Sequence, residues 1–170
     1  MTDDRIITIV EVGPRDGLQN EKDVISTEDK LRLIELLADA GLTRIEVTAF
    51  LSPQWVPQMA DHDAVMRRAS RRPGLLLSAL VPNEKGAAAA IAAGAQELAV
   101  FASASETFAL KNTNCTIAES IERFKPVLAL AKAHALPVRG YVSCAVDCPY
   151  EGAIPPSAAR GVSERLLEIG

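Results

Sequence analysis

Behind an apolar run that ends at Val12, the chain reads Gly13-Pro14-Arg15-Asp16-Gly17-Leu18-Gln19-Asn20-Glu21-Lys22. A guanidinium, a carboxylate and an amide fall together just past the C-terminal end of an expected strand. In parallel α/β barrels that rim is where active sites are built. The loop has neither the G-x-G-x-x-G nor the G-x-x-x-x-G-K-[ST] spacing, and no helix opens tightly behind it, so a nucleotide-phosphate cradle is disfavoured. Polar chemistry on a small substrate and a charged turn in which Arg15 pairs with Asp16 both suit these residue types, and the types alone leave the choice open.

Further candidates lie on later segments. Glu46 follows Arg44 by two in Arg44-Ile45-Glu46-Val47-Thr48-Ala49-Phe50, so the two share a strand face, either as an ion pair or with Glu46 turned to a site. Arg139, Tyr141 and Ser143 alternate in the same way. Tyr141 reads as a substrate contact and Arg139 as interior filling; in the first loop Gln19 reads as a contact and Lys22 as structural. His62 opens one helix and His134 ends another, positions that suit capping or surface residues more than metal ligands. Cys144 and Cys148 form one C-x3-C pair, where zinc motifs commonly need two, and read as a rim thiol and a loop thiol.

The elements that must position these residues follow from hydrophobic periodicity. Strands are expected at 6–12, 44–50, 75–81, 97–101 and 138–143. Each leads to a helix: 27–40 with Leu31, Ile34, Leu36 and Leu37 inward, 61–71, an Ala-rich one ending at Gly94, 116–134, and one from Pro155-Pro156 to Ile169. Ser26 with Asp29, and Thr116 with Glu119, read as capping boxes, and Gly41 as a stop. The stretch between 101 and 116 reads as a long excursion. Strands rich in Val, Ile and Leu that alternate with helices predict an α/β fold with a parallel sheet.

Two junctions nearly repeat, Ala40-Gly41-Leu42-Thr43-Arg44-Ile45-Glu46-Val47 and Ala93-Gly94-Ala95-Gln96-Glu97-Leu98-Ala99-Val100, and Glu168-Ile169-Gly170 opens the same junction again. The expectation is a single domain over 1–170 that is the N-terminal portion of a (βα)8 TIM barrel, about five of its eight units, with edges that need covering. Periodicity alone also allows a complete five-stranded doubly wound sheet.

Composition narrows the partners. The 18 Lys and Arg residues are dispersed and the net charge is only −4, which predicts no nucleic-acid and no membrane partner. Three Cys, an odd number, predict reduced thiols in a cytosol-like compartment. Met1 runs almost directly into the apolar segment at Ile6, so the expectation is a cytoplasmic protein without a transit peptide.

Val10-Glu11-Val12 with the loop through Lys22 resembles the N-terminal signature of hydroxymethylglutaryl-CoA lyases, within the wider group of metal-dependent barrel lyases and synthases. The likeness continues through Phe50-Leu51-Ser52-Pro53-Gln54-Trp55-Val56-Pro57-Gln58-Met59 and Leu110-Lys111-Asn112-Thr113-Asn114-Cys115. It then runs through Val138 to Cys144 and Cys148-Pro149-Tyr150-Glu151-Gly152, covering essentially the whole chain in family order. Gln19-Asn20-Glu21-Lys22 favours the lyase branch over the synthases.

The resemblance implies a divalent ion, Mg2+ or Mn2+, with Asp16 as one ligand. It implies Arg15 as the catalytic arginine, Glu46 as the glutamate that orients it, and an acyl-CoA substrate in a homodimer. The implied reaction is a retro-Claisen cleavage of 3-hydroxy-3-methylglutaryl-CoA to acetyl-CoA and acetoacetate. It also implies that a His-x-His metal pair, a base, a loop Cys and a ligand Asn lie beyond Gly170. A lyase for a longer C3 substituent, a synthase, and a non-catalytic barrel fragment acting as an interaction module are the alternatives.

Overall fold

The structure, a computed structural model, describes residues 7–170. Four strands, β1 (Arg44–Ala49), β2 (Leu76–Leu80), β3 (Glu97–Ser103) and β4 (Val138–Ser143), pair side by side in chain order, and every pairing is parallel. Helices α1 (Thr27–Asp39), α2 (His62–Ala69), α3 (Glu84–Ala93), α5 (Ile117–Ala133) and α6 (Pro156–Glu168) intervene or follow. The α/β class and the parallel sheet are as expected.

Two faces of the sheet do different work. Ile45 and Val47 of β1, Leu77 and Ala79 of β2, and Leu98, Val100 and Ala102 of β3 point to the helices. There they pack against Ile34, Val65, Met66, Ala90, Ile121 and Val127 in one buried core. The opposite face is narrower and more polar. Ala49, Leu80 and Ala99 meet Met59, with Phe101 and Tyr141 beside them, and Glu46, Ser78 and Glu97 are buried in adjacent register. An interior lined by carboxylates costs desolvation unless partners converge on it, so this face is where a site is to be sought.

The ends of the elements follow local chemistry. Ser26 Oγ accepts from the Asp29 amide at 3.1 Å, and Thr116 with Glu119 forms a full reciprocal box. Gly94 closes α3 at φ +102°, a left-handed conformation that carries little steric cost only without a Cβ.

Four expectations need correction. The strand expected over 6–12 is, among the described residues, a single parallel bridge from Glu11 to Ile45; Ile6 lies outside them. Glu11 N donates to Arg44 O at 3.0 Å and Glu11 O accepts from Glu46 N at 2.8 Å. Ile7 and Ile9 stay exposed, so apolar character there is not matched by burial that would hold a longer ladder. Leu36 is on the outer side of α1, which buries Leu31 and Ile34 instead.

The excursion before Thr116 contains helix α4 (Glu106–Thr113), capped by Ser105 and ended by Asn114 in the left-handed region. It buries only Ala109 fully, so it has almost no apolar stripe by which sequence periodicity finds a helix. Between β4 and α6, β5 (Asp147–Cys148) and β6 (Gly152–Ala153) form a two-residue antiparallel hairpin that apolar alternation cannot signal at that length.

Candidate active site

A single π-helical turn, Gly13–Gly17, aims the two charges of the first loop in different directions. The Val12 carbonyl accepts from the amides of Arg15 at 3.0 Å and Asp16 at 2.7 Å, which fixes the turn. Gly13 donates its amide to Glu11 Oε1 at 2.6 Å, and a Cβ on Gly13 would sit 2.8 Å from that oxygen, so a larger residue would require the Glu11 carboxylate to shift. Pro14 is buried at the start of the turn. The Arg15 side chain runs inward, 11% exposed, while that of Asp16 stays at the rim, 59% exposed.

Arg15 meets Glu46 on the inner face of β1. Its Nε donates to Glu46 Oε1 at 2.5 Å, and its Nη1 donates to Asp16 Oδ1 at 2.7 Å. The second oxygen of Glu46 accepts the Tyr141 hydroxyl from β4 at 2.9 Å. Glu46 is wholly buried, and both its oxygens carry hydrogen bonds, as a carboxylate out of water requires. Burial, with the Glu46 carboxylate alongside, pushes the Tyr141 hydroxyl well above its ordinary range despite the opposing Arg139 and Arg15 charges. Tyr141 is therefore a proton donor in a hydrogen bond and not a phenolate at neutral pH.

Arg15, Asp16, Glu46 and Tyr141, which lie far apart in sequence, are thus one connected cluster. The turn in which Arg15 pairs with Asp16 and the arrangement in which Arg15 faces a site coexist, because the guanidinium has donors for both. Gln19, on the same loop, is half-buried, and its Oε1 is shielded from solvent with no hydrogen-bond partner among the described residues. Lys22 is exposed. The loop is tied to its neighbour by Gln58 Nε2, which donates to the Glu21 carbonyl at 2.8 Å, and the buried Lys30 bonds Gln58 O and Asp61 beneath it.

The pairing of Arg44 with Glu46 does not form. Arg44 reaches Glu97 Oε2 at 3.7 Å, and Arg139 takes Glu97 Oε1 through Nε at 3.1 Å and Nη2 at 2.8 Å. Arg139, 28% exposed, is thus held by a buried acid. Sequence reading missed Glu97 as a partner, although an acid inside Glu97-Leu98-Ala99-Val100-Phe101 is the signal that would have found it: a carboxylate in an apolar strand needs a cation.

The other candidates are placed elsewhere. His62 Nδ1 lies 2.7 Å from the Met59 carbonyl and its ring packs on Phe50, and His134 caps α5. Among the described residues, no three His, Cys, Asp or Glu side chains cluster as a metal site. Cys115, Cys144 and Cys148 are free thiols. At Cys148 burial pushes the thiol up, but hydrogen bonding with Ser105 and with the amides of Tyr150 and Glu151 outweighs it and holds the thiol below its ordinary value.

Residues 6–170 match the HMGL-like family model. The chain is 56% identical over 164 residues to the cytoplasmic 3-hydroxy-3-methylglutaryl-CoA lyase of Danio rerio, covering 96% of this chain and 49% of that protein. The hydroxymethylglutaryl-CoA lyase structure from Pseudomonas aeruginosa superimposes with a TM-score of 0.91 at 51% identity, over 96% of this chain and 55% of that one. An HMG-CoA lyase from Acinetobacter baumannii, in complex with coenzyme A and 3-methylmalate, gives a TM-score of 0.91 at 34% identity, over 97% and 54%. The chain spans about half the length of the relatives it matches. Those neighbours are TIM barrels, and the parallel sheet described above is part of such a barrel. With its signature loop, its polar inner face and its match from residue 6 to residue 170, this chain belongs to the HMGL-like family.

Proposed function

We propose that the protein containing this chain is a metal-dependent carbon-carbon lyase that cleaves 3-hydroxy-3-methylglutaryl-CoA to acetyl-CoA and acetoacetate. The observation that carries this reading is the inward-running Arg15 guanidinium, held by the fully buried Glu46 and bonded through Nη1 to the rim carboxylate of Asp16. In a retro-Claisen cleavage the proton of the C3 hydroxyl is removed, the C2–C3 bond breaks, and its electron pair becomes the enolate of acetyl-CoA before carbon is protonated. Negative charge develops on the thioester oxygen, and a cation fixed beforehand stabilises it with little reorganisation.

Each residue of the cluster has a part. Arg15 meets the developing oxyanion. Glu46 aligns Arg15 through Nε, and Tyr141 locks the far oxygen of Glu46 while its ring lines the substrate side. Gln19 offers an unpartnered amide oxygen to a donor on the substrate. Asp16 has the chemistry of a hard-ion ligand: a rim carboxylate whose Oδ1 is shared with Arg15. It fits one position of a Mg2+ or Mn2+ sphere. When bound, such an ion lowers the pKa of the substrate hydroxyl and neutralises charge on its oxygens.

Acyl-CoA as substrate, a homodimer and a cytoplasmic setting complete the reading; no helix among the described residues is long and apolar enough to cross a membrane. The test is an acetoacetate and acetyl-CoA assay on the full-length protein, with and without Mg2+ or Mn2+, using substrates with methyl and with longer C3 substituents. Turnover of the methyl compound that requires the ion supports the proposal. Turnover only of longer substituents moves it to a related lyase, and no turnover of any of them ends it. Calorimetric Mn2+ binding that is lost in Asp16→Asn assigns the ligand; binding that survives the change removes Asp16 from the sphere.

A further inference from the structure

Ser78 sits in the middle of β2 on the polar inner face, 1% exposed, and its hydroxyl has no hydrogen-bond partner among the described residues. A buried hydroxyl left alone forfeits its bonds to water without replacement, so Ser at this position needs a physical reason. Its neighbours supply one. In register, Ser78 is flanked by Glu46 on β1 and by Glu97 on β3, and both side chains are buried.

Each carboxylate retains acceptor capacity. Glu46 takes one donor on each oxygen, from Arg15 and Tyr141, where a carboxylate has about four lone-pair positions. Glu97 takes both Arg139 contacts on Oε1, while its Oε2 is 3.7 Å from Arg44 Nη1, beyond hydrogen-bond distance. A buried water in a protein commonly has two to four polar partners, and this register provides three.

We propose that Ser78 binds one buried water that bridges it to Glu46 and Glu97, joining the rim cluster to the ion pairs beneath it, and that Ser78 is a positioning residue for Glu46. The hydroxyl and the water load the Glu46 carboxylate from below while Arg15 and Tyr141 load it from above. Rotation of the carboxylate about its terminal torsion, which is soft, is then restricted on both sides. The orientation of the Arg15 Nε bond follows from that restriction.

The effect on catalysis rests on the lyase reading above; the water and its effect on stability do not. A high-resolution crystal structure of the full-length protein is expected to show an ordered water bonded to Ser78 Oγ and to a carboxylate oxygen of Glu46 or Glu97. Density showing no water there overturns the proposal. Ser78→Ala is expected to lower the melting temperature, because it breaks a satisfied network, whereas removing an isolated buried hydroxyl leaves it unchanged or raises it. In the lyase assay, Ser78→Ala is expected to lower kcat on the order of three- to tenfold with KM unchanged. Ser78→Thr, which keeps the hydroxyl, restores it. If the wild type turns over substrate and Ser78→Ala matches it in kcat, Ser78 does not position Glu46. If the wild type is inactive on every acyl-CoA tried, the lyase reading fails, and the crystal structure and melting temperature still decide on the water.

Discussion

Glu46 and Glu97 are both buried acids on the same face of the sheet, both held by arginine, yet they are built to different ends. The partners of Glu97 come from the sheet itself: Arg139 on the adjacent β4 and Arg44 on β1, two strands away. Those of Glu46 come from a loop thirty-one positions earlier and a strand ninety-five positions later. The first arrangement neutralises charge within the sheet wall. The second spends a buried carboxylate on fixing a loop arginine that also bonds Asp16 at the rim. Burial of an ion pair is weak evidence of net stabilisation in either place; what separates the two is whether the cation that is held still has somewhere to act.

Arg15 provides the strongest way to break that contrast. In the acetoacetate assay on the full-length protein, Arg15→Met is expected to lower kcat about 10³-fold, the scale on which losing an oxyanion donor is felt, with little change in KM. Glu46→Gln keeps the shape but gives up the charge, and is expected to cost on the order of 10²-fold through misplacement of Arg15. If Arg15→Met retains wild-type kcat, the rim cluster is structural like the lower one.

The opposite outcome is expected below. Glu97→Ala leaves the partly exposed Arg139 without its partner, and since only the acid of this pair is buried the cost is expected at about 1 to 3 kcal/mol in unfolding free energy. Chemical denaturation measures it. Activity per folded molecule should fall no more than about tenfold, since neither Glu97 nor Arg139 hydrogen-bonds to Arg15, Asp16 or Glu46. A loss of activity as deep as that of Arg15→Met, without loss of stability, would erase the distinction between the two acids.

Tyr141 joins the clusters to pH. Its hydroxyl stays protonated in the folded state well above the ordinary tyrosine value of 10, chiefly because it is buried and beside Glu46. Above pH 10 the unfolded chain releases this proton and the folded chain keeps it, so the unfolded state binds fewer protons and stability falls as pH rises. Tyr141→Phe is expected to flatten that decline in an alkaline denaturation series while costing about 1 kcal/mol at neutral pH for the lost hydrogen bond. Equal slopes for the two proteins would show that Tyr141 is not the group that titrates.

These contrasts were unevenly legible in the sequence. Strands 76–80 and 97–103 stand out because buried parallel strands are rich in aliphatic residues, strands 44–49 and 138–143 through alternation of polar and apolar residues, and the helices with Ser or Thr caps announce their starts. Arg15 and Asp16 are conspicuous as charges in a Gly-flanked turn. Glu46 was visible as a face-sharing neighbour of Arg44, but its partners lie in three-dimensional register, which the one-dimensional pattern does not carry. The family resemblance implied its link to Arg15, whereas its bond to Tyr141 and the turn of Arg44 to Glu97 emerged only with the fold. Helix α4 and the β5–β6 hairpin eluded periodicity because their stability comes from local capping and from packing against Cys148 and Ile154, with too few buried positions to repeat.

The smallest expected effect separates a contact residue from a packing residue on the rim loop itself. Gln19 Oε1 is removed from solvent and has no partner among the described residues, so in the free protein it costs desolvation without return. Gln19→Leu, close in volume and without the acceptor, is expected to leave the unfolding free energy within a few tenths of a kcal/mol of wild type or to raise it. In the acetoacetate assay on the full-length protein the same change is expected to raise KM several-fold and leave kcat nearly intact, since an amide that binds substrate and transition state alike contributes uniform binding. Unchanged KM together with lost stability would make Gln19 a packing residue of the loop, and the substrate would then meet this rim through Arg15, Asp16 and Tyr141 alone.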